Sequence, residues 1–277
     1  MIKLNLDGIK QVELDILLQF DAYCRANNLR YYLVGGTLLG AIRHKGFIPW
    51  DDDIDVCMPR PDYEKLLDEF SSSNKNNNKQ LQLCELRFNN LDMPFSKLVA
   101  LNSVLVNNNK YVANKANRHL WIDIFPVDGL PSDIEDVRHI YQRCDFYRKI
   151  MFLSEANLGE GKTAFKKWAK FILKPLANLY GKKKLVNKLV SIGESYPYEK
   201  SNFVGAVTWG LYGVGERMLK AEFEKAVEVE FEGYRFPAFS CWDSYLRGLY
   251  GDYMQLPPLE KRQTHDMEAY LLEDGEF

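Results

Sequence analysis

The sequence has few of the features that mark specialised classes of protein. It contains no run of 18 or more apolar residues, so we expect no membrane-spanning segment. Its five cysteines are scattered and form no CxxC pair, which argues against a disulfide framework and a structural zinc and fits a reducing cytoplasm. Acidic residues interrupt the apolar positions near the N-terminus, so we expect no signal peptide there. The net charge of −2 gives no reason to expect nucleic acid as a partner.

The composition is instead that of an ordinary globular protein. Apolar residues make up 46% and charged residues 27% of the 277 residues, enough for one large domain or for a core domain with a second lobe. Helical spacing over 7–28, 132–155 and 163–192 contrasts with polar stretches at 71–79 and 107–118, which we interpret as loops. Strand patterns occur in RYYLVGG, DIDVCM, LQLCEL and FSKLVALNSVLV. This order predicts an α/β fold.

Aspartates lie on two of the predicted strands. In DIDVCM, Asp53 and Asp55 alternate with apolar residues, so we expect both side chains on one face of the strand. The stretch WIDIF predicts a buried strand that carries Asp123 and ends at Pro126. Two carboxylates two residues apart lie roughly 6–7 Å apart along a strand, so both could reach one divalent cation. Asp123 could complete the ligand set, act as a base, or be a buried structural aspartate.

A glycine-rich turn precedes the acidic strand. The residues GGT, between a strand and the helix TLLGAIRHKG, would expose backbone N–H groups at a helix N-terminus, which is a favourable site for an anion. Arg43 and His44 follow one helix length later and could face the same phosphates, although His44 could equally be a packing residue. Such turns often only connect elements, and acidic runs are often solvated faces. The combination of both features favours metal-assisted phosphoryl transfer.

The longest motif makes the sequence recognisable. GGTLLGAIRHKGFIPWDDDIDVCMPRPDYEKL closely resembles the signature of the LicD family, which also includes fukutin and fukutin-related protein. WIDIFPVDGLP, VEFEGYRFPAF and YLRGLYGDYMQLPPLEKRQTH resemble later blocks of that family. The resemblance implies a nucleotidyltransferase-like mixed sheet flanked by helices, an α/β (α+β) fold. We expect a catalytic core over 1–131, a helical region over 132–200 and an aromatic-rich segment over 201–277 that completes the active-site lobe.

The resemblance also implies an activity. Family members move a phospho-alcohol from a CDP-linked donor to a sugar hydroxyl. Bacterial members are similar to phosphocholine transferases that use CDP-choline and decorate teichoic acid or lipooligosaccharide precursors. The cysteine zinc site of the fukutin-related branch has no counterpart in this chain. The implied site consists of a donor turn and four carboxylates: Gly35, Gly36, Thr37, Asp51, Asp53, Asp55 and Asp123.

These residues suggest a working mechanism. We expect Mg²⁺ (or Mn²⁺) on Asp53 and Asp55 to bridge the donor diphosphate, while Arg43 or Lys97 balances the remaining negative charge. Asp123 would ligate the metal or take the proton of the acceptor hydroxyl, and CMP would leave. Three C-terminal residues could close on the phosphates or belong to a solvated tail: Lys261, Arg262 and His265.

Two further features concern partners. Aromatic residues near the family blocks could hold choline by cation–π attraction or could fill the core, and the candidates are Trp50, Trp121, Trp209 and Tyr250. The stretch 162–188 has nine lysines and no acidic residue, so it is either a solvated helical face or a membrane-surface element. A lipid-linked glycan acceptor would favour the second interpretation. We therefore expect a cytoplasmic protein with peripheral contact at the inner face of the membrane.

Two other functions share part of this pattern. A conventional nucleotidyltransferase, which adds a nucleotide to a small molecule or protein, has the same glycine turn and acid pair but would not need the extended block RHKGFIPWDDDID. A non-catalytic nucleotide-binding scaffold would not need all three carboxylates. The released product separates the first alternative, because phospho-alcohol transfer releases CMP whereas nucleotide transfer releases pyrophosphate.

Overall fold

The computed structural model describes residues 1–72, 80–106, 118–156, 164–262 and 267–272. Most of the predicted loops at 71–79 and 107–118 lies outside these ranges. The helices are α1 (Leu6–Ala26), α2 (Gly35–His44), α3 (Arg60–Ser72), α4 (Ile134–Glu155), α5 (Ala164–Tyr180), α6 (Lys182–Gly193), α7 (Lys220–Phe223) and α8 (Trp242–Tyr250). The strands are β1 (Ile2–Lys3), β2 (Tyr32–Leu33), β3 (Asp55–Pro59), β4 (Leu81–Cys84), β5 (Ser96–Ala100), β6 (Ser103–Leu105), β7 (Trp121–Leu130), β8 (Phe203–Gly205), β9 (Met218–Leu219), β10 (Ala226–Phe231), β11 (Tyr234–Phe239) and β12 (Ala269–Leu271).

A mixed sheet carries the predicted acidic strands. Its strands lie in the order β2-β3-β7-β5-β4, and β7 also pairs with β8, which pairs with β9. Strand β3 runs parallel to β7, whereas β2 and β5 are antiparallel to their neighbours. The register places Asp55 opposite Asp123, and Asp123 opposite Lys97. The predicted α/β (α+β) fold is confirmed, and it aligns these three residues in one row across the sheet.

Strand β7 continues through Pro126, so the prediction that this proline ends the strand is wrong. The N–H of Asp123 donates to the carbonyl of Ile54, 2.9 Å away, on the β3 side. Because N–H directions alternate along a strand, the nitrogen of Pro126 faces the opposite edge. On that edge the β5 register stops at Ile124 and the β8 register begins at Asp128. The missing N–H therefore falls between two partner strands, where it removes no ladder bond.

The helical pattern over 163–192 forms two helices instead of one. Gly181 separates α5 from α6 and has a φ of +87°, in the left-handed region that favours glycine. Helix α4 packs against both α5 and α6. The chain therefore turns back on itself at this glycine and forms a helical layer on α4.

Both ends of the chain contribute to the main core. Helix α1 begins at the cap residue Asn5, whose side chain accepts a hydrogen bond from the N–H of Gly8, and it packs across β5 and β7. Leu17 of α1, Phe239 of β11 and Leu246 of α8 belong to one buried cluster. The C-terminal segment is thus packed on the N-terminal sheet, and the three-part division of the chain stays a prediction.

Candidate active site

The start of β3 is tied to the glycine turn by backbone and hydroxyl contacts. The N–H of Asp55 donates to the hydroxyl of Thr37 at 2.8 Å, and the carbonyl of Asp55 accepts from the N–H of Val34 at 3.2 Å. Thr37 is buried in the first turn of α2. Its hydroxyl therefore positions the acidic strand, a role different from the phosphate contact predicted for it.

The two glycines let carboxylates lie against the N-terminal end of α2. Gly35 has a φ of +57°, and a Cβ built there would lie 3.1 Å from Oδ2 of Asp55. A Cβ on Gly36 would lie 2.8 Å from Oδ2 of Asp51, closer than real Cβ contacts allow. The positive end of the helix dipole is thus close to two of the predicted site carboxylates.

Negative charge is concentrated around Asp55. Burial raises the pKa of Asp55 well above its usual range, and the nearby Asp53, Asp123 and Asp51 raise it further, while Lys97 lowers it. Asp53 precedes β3 instead of lying in it, because the strand begins at Asp55. The structure therefore gathers the predicted carboxylates within electrostatic reach of one another.

Lys97 is bound to the third carboxylate. Its ammonium lies 2.7 Å from Oδ1 of Asp123 and 3.9 Å from the centroid of the Trp121 ring. Lys97 is only 5% exposed, and Trp121 is buried as well. This lysine therefore neutralises Asp123 directly and covers the face of Trp121, so both predicted roles, phosphate contact for Lys97 and choline contact for Trp121, would require rearrangement.

Glu13 is a carboxylate that the sequence interpretation missed. It is 0% exposed, and neither carboxylate oxygen has a hydrogen-bond partner among the described residues. Burial raises the pKa of Glu13 well above its usual range, and Asp53, Asp52, Asp123 and Asp51 raise it further. The available signal was its place on the apolar face of α1, at helical spacing from Ile9 and Phe20.

The carboxylates of the candidate site suit a hard cation, although they are not gathered around one point. Within the described ranges, no three His, Cys, Asp or Glu side chains stand close enough together to hold one ion. Yet Asp55 and Asp123 share the buried Lys97 as a neighbouring cation, and Glu13 is a buried acid beside them with no hydrogen-bond partner among the described residues. Oxygen-only ligands with excess negative charge match Mg²⁺ or Mn²⁺. Binding would draw these side chains closer together.

The basic residues at the other end of α2 contact the C-terminal segment. Arg43 donates hydrogen bonds to the carbonyls of Tyr253 at 2.6 Å and Gln255 at 3.3 Å. Burial and the nearby Arg262 lower the pKa of Arg43, and burial and Arg43 lower the pKa of His44. Arg43 and Arg262 thus form a cationic pair, and the lowered pKa of His44 favours its neutral imidazole. The side chain of Lys261 and all of His265 lie outside the described part of the chain.

Trp50 and Trp209, two of the predicted choline residues, pack against other side chains. Trp50 lies under the guanidinium of Arg262, which is 4.4 Å from the ring centroid. Trp209 packs against Phe95 and Phe152, with ring centroids 5.1 and 5.7 Å away.

Among the predicted choline residues, Tyr250 is the one whose pKa is affected by Asp55. Its ring centroid is 5.2 Å from that of Tyr212, and burial, Tyr212 and Asp55 raise the pKa of Tyr250 well above its usual range. Glu216, whose buried carboxylate accepts the N–H of Tyr212, has a pKa raised to about 7 by burial. Glu216 is thus a further residue that the sequence interpretation missed.

Comparison with known proteins decides the family. A family model described as the LicD/FKTN/FKRP nucleotidyltransferase domain matches residues 28–156. The lipopolysaccharide cholinephosphotransferase LicD of Haemophilus influenzae is 32% identical over 283 residues, which cover 98% of this chain and 100% of that protein. The chain belongs to the LicD family. The predicted resemblance is confirmed, and so is the prediction of a phosphotransferase enzyme. An uncharacterised protein of Rickettsia typhi is 45% identical over 47 residues, 16% of this chain and 15% of that protein.

Proposed function

We propose that this enzyme moves phosphocholine, or a related phospho-alcohol, from a CDP-linked donor to a hydroxyl of a cell-surface glycan precursor and releases CMP. The name of the Haemophilus relative supports cholinephosphate transfer to lipopolysaccharide, and teichoic acid is the second acceptor we consider. The observation that carries the proposal is the placement of Asp55 opposite Asp123, with Asp51 and Asp55 against the start of α2.

Asp53, Asp55 and Asp123 are the residues that would hold Mg²⁺ or Mn²⁺. Such an ion supplies positive charge to the donor diphosphate and makes its phosphorus more electrophilic. Lys97 orients Asp123 through their ion pair. Gly35 and Gly36 allow the carboxylates and the donor phosphates to share the N-terminal end of α2.

The remaining chemistry requires one proton transfer and one displacement. Asp123 accepts the proton of the acceptor hydroxyl, whose oxygen attacks the phosphorus that bears the alcohol. A new phosphorus–oxygen bond forms, the bond to the CMP oxygen breaks, and CMP leaves with that electron pair. Arg43 and Arg262 form the cationic pair that would neutralise donor phosphates, and His44 beside Arg43 would donate a hydrogen bond to them. Lys261 and His265 stay predictions.

The choline end of the donor would lie by the tyrosine pair Tyr212 and Tyr250. Two aromatic rings beside a carboxylate suit a quaternary ammonium, because the ring faces and the carboxylate both attract positive charge. Trp50, Trp121 and Trp209 stay predictions as choline contacts. The site of action in this proposal is the cytoplasm, at the inner face of the membrane.

Product analysis tests the proposal. The protein is incubated with Mg²⁺ and, in turn, CDP-choline, CDP-ribitol and CDP-glycerol, and the released nucleotide is identified. We expect CMP from one of these donors, loss of CMP release with a chelator, and background release from Asp55→Asn with an unchanged circular dichroism spectrum. Asp145→Asn is the matched control, because Asp145 lies on α4 and pairs with Lys149 at the surface. Undiminished release by Asp55→Asn would refute the scheme, and pyrophosphate release from CTP would favour a conventional nucleotidyltransferase.

A further inference from the structure

The C-terminal half of helix α5 exposes large apolar side chains. On the side that faces α4, Ala177 is buried, and the half-buried Lys174 donates a hydrogen bond to the carbonyl of Ala156 at 2.7 Å. On the opposite side, Leu176 is 58% and Leu179 is 83% exposed. A helix that packs on the core of a water-soluble protein normally turns its apolar side chains inward. The C-terminal half of α5 has the reverse arrangement.

The exposed apolar residues are neighbours on one helix. Positions three and four apart share a face, which places Leu176 beside Leu179 and Tyr180. Among the described side chains of α5, the large exposed ones are Phe171, Leu173, Leu176, Leu179 and Tyr180. A contiguous apolar surface of this kind marks a place where something else binds.

The charge beside this surface indicates the kind of partner. Residues 162–188 contain nine lysines and no acidic residue. Lys184 follows Leu179 by five residues and is exposed at the start of α6. The neighbouring Lys183 is exposed too, but its ammonium donates a hydrogen bond to Oδ1 of Asn89 at 2.8 Å. Apolar side chains flanked by lysines complement a bilayer with anionic headgroups, which binds both kinds of residue at once.

The geometry of α5 limits how deeply it can enter a bilayer. Pro175 lies inside the helix and has no N–H to donate to the carbonyl of Phe171. A carbonyl without its helical partner is costly in hydrocarbon but not at the hydrated headgroup boundary. No helix in the described ranges is long and apolar enough to cross a membrane. The apolar side chains can therefore be buried only at the boundary between headgroups and acyl chains.

We propose that the outer face of α5, formed by Leu176, Leu179 and Tyr180, docks on an anionic lipid bilayer together with the exposed Lys184 at the start of α6. We call this surface the α5 face. Docking would hold the active site next to a lipid-linked acceptor. The docking proposal does not depend on which CDP-linked donor the enzyme uses. Lipid binding can therefore be tested without catalysis.

A single labelled cysteine reports on docking directly. All five native cysteines are buried, so a cysteine introduced as Leu179→Cys can be labelled selectively with an environment-sensitive fluorophore. At low salt we expect a blue shift with vesicles that contain phosphatidylglycerol, and little shift with phosphatidylcholine alone or at high salt. Co-flotation of the unlabelled wild-type chain with the same vesicles excludes an effect of the dye.

Surface variants identify which residues bind. The double variant Leu176→Ser with Leu179→Ser should lower vesicle partitioning at least about tenfold, because its apolar contacts are removed. Lys184→Gln should lower it about fivefold. Leu219→Ser, at an exposed position of β9, is the matched control and should bind as the wild type does.

Two outcomes would overturn the proposal. One is the absence of wild-type flotation with phosphatidylglycerol vesicles at low salt. The other is wild-type binding by the α5 variants, which would place the lipid contact elsewhere. All variants are exposed and should keep the wild-type circular dichroism spectrum. If size-exclusion chromatography instead shows a dimer that the leucine substitutions dissociate, and vesicles do not bind, the α5 face contacts a second copy of the chain.

Discussion

Lys97 and Asp123 face each other across β5 and β7, with the ammonium 2.7 Å from the carboxylate oxygen. Lys97 is buried and Asp123 is half-buried, and Asp123 is also the register partner of Asp55. Asp123 thus lies between a cation on one neighbouring strand and a carboxylate on the other. The sheet holds this arrangement together, because antiparallel β5 supplies the cation and parallel β3 supplies the second carboxylate.

Removal of that lysine should destabilise the protein strongly. Lys97→Met leaves the half-buried Asp123 beside Asp55 without its lysine counter-charge, and breaking a buried pair in this way costs up to about 3–5 kcal/mol. Urea unfolding in the presence of a chelator measures the loss. Lys149→Met is the control, because Lys149 pairs with Asp145 at the surface, where such a pair contributes about 1 kcal/mol or less. Equal losses in the two variants would mean that the Lys97 pair does not matter for stability.

A methyl group on Gly36 should damage the site more than the fold. Its Cβ would lie 2.8 Å from Oδ2 of Asp51, so Gly36→Ala must displace a predicted site carboxylate. We expect weaker Mn²⁺ binding by calorimetry and a lower rate of CMP release, with a small change in melting temperature. Gly8→Ala is the matched control in the first turn of α1, where the nearest atom would be the Leu4 side chain at 3.1 Å. Wild-type Mn²⁺ affinity in Gly36→Ala would argue against Asp51 as part of the site.

The sequence was most informative where local patterning decides the geometry. Alternation in DIDVCM and the apolar neighbours of Asp123 were enough to predict two acidic strands, which the sheet brings into register. The pairing of Lys97 with Asp123 depends on which strand lies beside β7, and that long-range choice leaves no local pattern. Pro126 was misjudged because a change of strand partner is also a long-range feature.

Glu13 shows a second reason why the sequence alone did not predict the whole site. Its helix was predicted, but a polar residue on an apolar helical face was not interpreted, because its burial depends on how α1 packs across β5 and β7. The same is true of Glu216, whose burial and contact with the N–H of Tyr212 depend on a loop folding against α8. Such residues can be identified only when the tertiary contacts are known.

The raised pKa of Glu13 predicts a pH dependence of stability. The unfolded chain releases this proton near the ordinary glutamate pKa of 4.5, whereas the native protein retains it to higher pH. The native state therefore binds more protons in this range, and stability decreases as pH rises, by at most about 1.4 kcal/mol per pH unit. Glu13→Gln removes this contribution and should flatten the curve of unfolding free energy against pH.

The measurement is urea unfolding of the metal-free protein at several pH values between the ordinary glutamate pKa and neutrality. Glu230→Gln, exposed on β10, is the matched substitution and should follow the wild-type curve. Parallel curves for Glu13→Gln and wild type would show that Glu13 ionises in the native protein as it does in the unfolded chain.

The tyrosine pair should distinguish a cationic donor from a neutral one. Tyr212 is 46% exposed and its ring contacts that of Tyr250, so Tyr212→Leu should leave the fold intact. Loss of one cation–π contact would weaken binding of CDP-choline by about 2- to 30-fold, while binding of CDP-glycerol should hardly change. Tyr212→Phe keeps the ring and should retain CDP-choline affinity. Tyr234→Leu, exposed on β11, is the control. Calorimetric titration with both donors measures the difference, and an equal loss for the two donors would show that Tyr212 supports the loop without contacting the choline.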